Sequence, residues 1–242
     1  MMRHLFFTTT LLLIQVYLFG NQEFVYNSLE LALEHKSEVK HLDLSNQKLS
    51  QIPEAITELT ELEELNISGN QISFIPASFT RLQRLKVLIL GDPLNVNGGN
   101  RFKKIPEVIF ELTSLESLML SRNQVQVVPK EISKLKNLKT LYLNDNGIKR
   151  LPTSIGELKK LRALFISRNA LVSLPFEISG LEQLESLDLK ENFLEGLPSS
   201  INELLALRSL ETQNNQIKSL DLNLDRLCNM TSLILSDNPL KS

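Results

Sequence analysis

A segment of 23 residues recurs along this chain of 242 residues, and the repetition limits the folds that are open to it. Each copy follows L-x-x-L-x-L-x-x-N-x-[LIVF]-x-x-[LIV]-P-x-x-I-x-x-L-x-x, and consecutive copies lie 23 residues apart except for one step of 30. The copies begin at Val39, Leu62, Leu85, Leu115, Leu138, Leu161, Leu184, Leu207 and Met230. A fixed period of this length predicts a solenoid, because one repeat cannot bury its apolar side alone and stacked repeats can.

Two shorter periodicities lie within each copy. The L-x-x-L-x-L part alternates like a strand, and the P-x-x-I-x-x-L part has the spacing of a helical or 3₁₀ turn. A proline suits the start of such a turn, where its missing N–H is not needed; the prolines at this position are Pro53, Pro76, Pro106, Pro129, Pro152, Pro175 and Pro198. We therefore predict a parallel sheet with strands about 4.8 Å apart on one side and short turns on the other.

The ninth position of each copy is polar although it should lie inside. It starts with Gln47 and continues as an asparagine ladder, consisting of Asn70, Asn100, Asn123, Asn146, Asn169, Asn192, Asn215 and Asn238. Buried amides must be hydrogen-bonded, so we expect these side chains to hold the backbone where it leaves each strand. Their predicted role is structural, without a ligand.

This pattern, from Val39 to Leu240, resembles the leucine-rich-repeat family. The resemblance implies an α/β solenoid, a curved horseshoe with a parallel β-sheet on the concave face and short helical or 3₁₀ turns on the convex face. The 23-residue spacing with a Leu-Pro step is similar to bacterial secreted members and to intracellular Ras-suppressor-like proteins. The short leader makes the chain most similar to small secreted repeat proteins of spirochaetes.

The two ends differ from the repeats. Residues 1–20, with a basic start and an apolar run from Leu5 to Phe19, read as a secretory signal peptide, which predicts export and no membrane span after cleavage. Residues 21–38 are predicted to be an N-terminal capping segment, with a short helix capped by Asn27 or Ser28. The repeat domain, 39–242, has nine copies; the last is incomplete and suggests an open edge through which homodimers could form.

The composition argues against several functions. The net charge of −2 and the alternating charges do not predict nucleic-acid binding. The single cysteine, Cys228, cannot form an intrachain disulfide. His41 and Asp43 share one face but do not make a specific metal site. No nucleophile-and-base motif is recognisable, so we predict no enzymatic activity, no metal and no cofactor.

The predicted concave face carries an apolar patch in the middle repeats. The central outward strand position reads Ile89, Met119, Tyr142 and Phe165 in four consecutive copies, and Val87 and Ala163 lie in the neighbouring column. Large side chains left in water forgo roughly 1.5–3 kcal/mol of burial each. We therefore interpret this patch as an open ligand-binding surface; the alternatives are strand propensity alone or a covering loop.

Charged residues and an insertion surround this patch. The predicted polar rim comprises Arg122, Asp145, Arg168, Lys190 and Glu191 at the strand exits. The third copy carries an insertion at residues 91–100, in which Asp92, Leu94 and Val96 could form an accessory loop over the patch or toward a partner.

The sequence thus predicts an exported, non-catalytic module that recognises a protein, or alternatively a glycan, through its concave face. It is expected to be secreted, periplasmic or on the cell surface, and to interact with a host. Two other hypotheses remain: a cytoplasmic Ras-suppressor-like signalling scaffold with residues 1–20 retained, and an envelope or surface component that self-associates through the C-terminal edge.

Overall fold

The computed structural model describes residues 25–92, 94 and 98–240. The predicted signal peptide therefore lies outside the described residues, as does Val96 of the predicted accessory loop. Within the described residues, no helix is long and apolar enough to cross a membrane.

One parallel sheet forms the concave side of the fold, with its strands in chain order. The strands β1 to β10 are Val25–Tyr26, His41–Asp43, Glu64–Asn66, Val87–Gly91, Ser117–Leu120, Thr140–Tyr142, Ala163–Phe165, Ser186–Asp188, Ser209–Glu211 and Ser232–Ile234. Equivalent repeat positions pair directly, as Leu118 pairs with Leu141 and Leu141 with Leu164. The repeat period therefore sets the sheet register, and the predicted solenoid fold is confirmed.

Short 3₁₀ turns lie on the opposite, convex side. The turns η1 to η7 are Glu54–Glu58, Ala77–Arg81, Glu107–Glu111, Lys130–Lys134, Thr153–Glu157, Phe176–Gly180 and Ser199–Glu203. Each follows one of the repeat prolines, which holds the extended N-cap position just before the turn. Asp221 stands at the proline position of the next copy, where the described residues form no 3₁₀ helix.

A continuous leucine- and isoleucine-rich core fills the space between sheet and turns. It extends from Ala32 to Ile217 without a break between repeats. Glycines let two convex turns approach closely: a Cβ on Gly156 would lie 2.0 Å from the Glu177 carbonyl oxygen, and one on Gly180 would lie 2.3 Å from that of Gly156. The 3₁₀ turns η5 and η6 consequently pack backbone to backbone.

The asparagine ladder joins successive repeats at the strand exits. The amide nitrogen of Asn169 donates to the carbonyl oxygens of Leu143, Ile166 and Ser167 at 2.9, 3.1 and 3.1 Å. Its oxygen accepts the Ile148 backbone N–H at 2.9 Å. Gln47, at the first of these positions, is exposed and donates instead to the Asn27 carbonyl.

The N-terminal segment covers the first repeat. Helix α1 (Leu29–Glu34) begins after Ser28, whose hydroxyl accepts the Leu31 N–H at 3.4 Å. Ala32 is the fully buried residue of this helix, and Tyr26 and Leu33 pack against the core. Strand β1 adds an edge strand that the repeat pattern does not contain.

Candidate functional site

Four large apolar side chains form a row across the concave face, which we call the concave ladder: Ile89, Met119, Tyr142 and Phe165. They occupy paired positions on β4 to β7. The Tyr142 and Phe165 rings stack with centroids 4.5 Å apart and an interplanar angle of 10°. The register predicted from the sequence is therefore correct.

The concave ladder is not open to solvent, so that part of the sequence prediction is wrong. Ile89 and Met119 are 3% exposed, Tyr142 is 5% exposed and Phe165 is 9% exposed. Because paired positions on adjacent strands lie about 4.8 Å apart, these large side chains pack against one another along the row. Val87 and Ala163 pack against the same cluster, which is separate from the main core.

A column of small side chains runs beside the ladder and forms what we call the small-residue trough. From β5 to β10 these residues are Ser117, Thr140, Ala163, Ser186, Ser209 and Ser232. The Ser117 hydroxyl is buried and has no hydrogen-bond partner among the described residues. The outer edge carries ion pairs between repeats, such as Arg162 with Glu185 at 3.6 Å.

The predicted rim residues form ion pairs at the strand exits. Arg122 and Arg168 lie 3.7 and 3.6 Å from the two carboxylate oxygens of Asp145, and Arg168 lies 3.1 Å from Glu191. The hydrogen bond from Arg168 to Glu191, together with the charges of Glu191 and Asp145, raises the pKa of the Arg168 guanidinium. All four residues have positive φ angles, between 52° and 56°, where the chain turns out of each strand.

A buried carboxylate follows the ladder on its C-terminal side. Asp188 pairs with Phe165 across β7 and β8 and is 7% exposed. The Lys190 ammonium lies 3.3 Å from Asp188 and 3.0 Å from Glu211. Burial raises the pKa of Asp188, because one ammonium shared with Glu211 does not offset the loss of hydration. We call Asp188, Lys190 and Glu211 the C-terminal acidic zone.

A second group of acids precedes the ladder on β2 and β3, and we call it the N-terminal acidic zone. Glu64 lies 3.3 Å from His41 Nδ1, and Asp43 accepts a hydrogen bond from Asn66 at 3.2 Å. Burial raises the pKa of Glu64, an effect that His41 opposes and Asp43 reinforces. The described residues contain no cluster of three or more His, Cys, Asp or Glu side chains suited to a metal ion.

We expect Asp188→Asn to raise the free energy of unfolding by about 1 kcal/mol at neutral pH, because a buried charge with shared compensation is replaced by a neutral amide. Glu211 remains as the partner of Lys190. The raised pKa makes the native protein less stable as pH rises from the ordinary value of 3.8 through the folded value. The advantage of the variant should therefore grow across this window and vanish at lower pH, as urea unfolding at several pH values would measure. Equal stability of Asp188→Asn and the wild type at every pH would contradict this prediction.

Hydrogen bonds within the inserted segment join its described residues. Asp92 donates its N–H to the Gly98 carbonyl at 2.9 Å, and its carboxylate accepts the Leu94 N–H at 2.8 Å. Leu94 is 49% exposed, and it is not among the side chains that pack against the concave ladder. Leu94 thus does not cover the ladder, and its proposed contact with a partner remains a prediction.

Sequence reasoning assigned a binding role to the apolar members of the concave columns and none to the acidic ones. Asp43, Asp188 and Glu211 stand at the same repeat position as the ladder residues, and Glu64 stands in the trough column. Their column positions were readable from the repeat. Their burial, which makes them unusual, depends on the side chains of the neighbouring strands.

A parallel sheet, 3₁₀ turns on its opposite side and an asparagine ladder at the strand exits define a leucine-rich repeat solenoid. A protein-family sequence model described as a leucine-rich repeat region matches residues 27–123 and 107–173, which together make up more than half of the chain. The chain belongs to the leucine-rich repeat family. A search of curated proteins finds no match.

Solved structures share this architecture. A leucine-rich repeat protein of Leptospira interrogans is 25% identical with a TM-score of 0.73, over 91% of this chain and 72% of that one. An internalin from Listeria monocytogenes is 23% identical with a TM-score of 0.73, over 89% of this chain and 60% of that one. The ectodomain of a receptor kinase from Arabidopsis thaliana, in complex with Casparian strip integrity factor 2, is 31% identical with a TM-score of 0.71, over 85% of this chain and 25% of that one.

Proposed function

We propose that the chain is a non-catalytic protein-binding module that receives its ligand on the concave face. The observation that carries the proposal is the arrangement of the concave ladder beside the small-residue trough. Large side chains in one column and small ones in the next make a stepped floor, and the ladder holds that floor rigid through its own packing. A rigid floor limits the conformational entropy lost on binding.

The homologous receptor ectodomain supports a protein ligand rather than a glycan. That ectodomain was solved in complex with Casparian strip integrity factor 2. The aromatic pair of the ladder, Tyr142 and Phe165, supplies the kind of side chain that is enriched at protein interfaces. Because the pair is nearly buried, its role is to support contacts at the floor rather than to insert into a partner.

We further propose that the protein is exported, on the basis of the apolar run from Leu5 to Phe19 after a basic start. Mass spectrometry of the natural protein tests this, since signal cleavage after Gly20 gives a chain that begins at Asn21. A natural chain that keeps residues 1–20 would favour the intracellular scaffold.

We expect Ala163→Arg to weaken ligand binding by about tenfold or more, because a long charged side chain would fill the small-residue trough beside Phe165. Ala163 is half-buried in the trough, so the guanidinium can extend into solvent without disturbing the core. Binding would be measured with peptides selected on the whole wild-type chain from a displayed library of random 16-residue peptides.

Ala206→Arg is the matched control, since Ala206 is also half-buried but lies in the turn between η7 and β9. It should bind these peptides as the wild type does. Selected peptides that bind equally to the two variants, both folded by circular dichroism, would contradict a ligand site in the trough.

A further inference from the structure

Acidic side chains outnumber basic ones on the concave face at both ends of the apolar region. Asp43 and Glu64 lie before the ladder, and Asp188 and Glu211 lie after it. Among the described residues, Lys190 is the lysine or arginine that forms ion pairs with the C-terminal group, and it is already shared by two carboxylates. The rim and the outer edge of the trough, by contrast, carry ion pairs of opposite charge. The uncompensated charge therefore lies on the floor, at its two ends.

Burial distinguishes these acids from the acidic side chains elsewhere on the surface. Burial raises the pKa of Glu64 in one zone and that of Asp188 in the other. On the convex side, a hydrogen bond from Lys36 lowers the pKa of Glu58 instead. A partly dehydrated carboxylate with incomplete compensation gains most from an incoming cation, and such groups cluster at functional sites.

The small-residue trough reaches the C-terminal acidic zone, and Val87 on β4 stands between its first residue, Ser117, and Glu64 of the N-terminal acidic zone. It runs across the strands, along the solenoid axis, and its members Ala163, Ser186 and Ser209 are half-buried and smaller than the ladder side chains beside them. The Ser117 hydroxyl, in the same column on β5, is buried and has no hydrogen-bond partner among the described residues, which is unusual for a buried polar group. The trough thus suits a main chain more than a bulky or branched ligand.

We propose, on the basis of the concave binding function above, that the ligand is an extended peptide segment with basic residues at both ends of a small or apolar stretch. The segment lies along the trough, and its cationic side chains contact the two acidic zones. Glu64 on β3 and Glu211 on β9 are six strand steps apart, or about 29 Å. An extended chain covers this distance with about nine residues.

The composition of the selected peptides is the first test. Selection on the whole chain should enrich sequences with Lys or Arg about nine positions apart and with small or apolar residues between them. Enrichment of acidic or uncharged sequences would overturn the proposal. Failure to enrich any peptide whose binding depends on concave residues would overturn it as well.

Removal of one carboxylate from each zone is the second test. Glu64→Gln/Glu211→Gln keeps an acceptor for His41 and for Lys190, and we expect it to weaken binding of the best peptide about tenfold. Glu157→Gln/Glu182→Gln on the convex side removes the same charge and should change binding less than about twofold. Fluorescence anisotropy of the labelled peptide measures its affinity for both variants and for the wild type at two salt concentrations. The wild-type affinity should fall with added salt.

The outcomes separate this proposal from the function on which it rests. If Ala163→Arg loses binding and Glu64→Gln/Glu211→Gln does not, the concave binding site is supported and the basic ligand is contradicted. Unchanged binding in both variants would contradict both the concave binding site and the basic ligand. Equal losses in the concave and convex Glu→Gln variants would show a non-specific charge effect and contradict the acidic zones as contact points.

Discussion

Asn169→Ala is expected to lower the free energy of unfolding by about 4 kcal/mol. The alanine removes three donated hydrogen bonds, to Leu143, Ile166 and Ser167, and leaves the Ile148 N–H without the acceptor that Asn169 provides. Asn169 is 7% exposed, so water cannot replace these bonds without opening the solenoid. Because the asparagine joins neighbouring repeats, the loss should also weaken their coupling.

Urea unfolding of the whole chain measures this loss, with Asn137→Ala as the control. Asn137 has one carbonyl acceptor, Thr113, and one donor, Lys160, near the convex surface. Its replacement should reduce stability by less than about 1 kcal/mol. Similar losses in the two variants would mean that the asparagine ladder is not a principal source of stability.

Phe165→Asp is expected to destabilise the fold by about 4 kcal/mol, through loss of a packed ring and burial of a charge. The substitution removes the stacking on Tyr142 and places a carboxylate opposite Asp188 on the adjacent strand. Like charges at this separation raise each other's pKa and disfavour the folded state.

Phe176→Asp is the matched control, because Phe176 is 66% exposed at the first residue of η6. This variant should stay within about 0.5 kcal/mol of the wild type in the same urea titration. A Phe165→Asp protein as stable as Phe176→Asp would mean that the concave ladder is open to solvent. In that case the sequence-based prediction of an open patch would be right and the burial described above would be wrong.

The repeat predicts most of the fold because each of its positions has one physical role. Each of the seven repeat prolines precedes a 3₁₀ turn, and Leu118, Leu141 and Leu164 occupy equivalent places in adjacent strands. The parts without a repeat were less predictable. The helix after Ser28 followed from a capping residue, but strand β1 has only two residues and its pairing depends on β2.

The candidate site was predictable in position but not in exposure. The alternation of strand residues places Met119 and Tyr142 on the concave face without reference to the structure. The side chains beside them belong to other strands, which are 23 or 30 residues away in sequence. Asp188 likewise has Phe165 and Glu211 on adjacent strands, in addition to Lys190 in its own repeat.

The most direct test of the central claim is photo-crosslinking of a selected peptide to the whole chain. Benzoylphenylalanine would replace Ser186, in the small-residue trough, or Ser179, on convex turn η6, both of which are half-buried. We predict crosslinked product from position 186, competed by unlabelled peptide, and none above background from position 179. Specific crosslinking from position 179 with none from position 186 would contradict binding on the concave face.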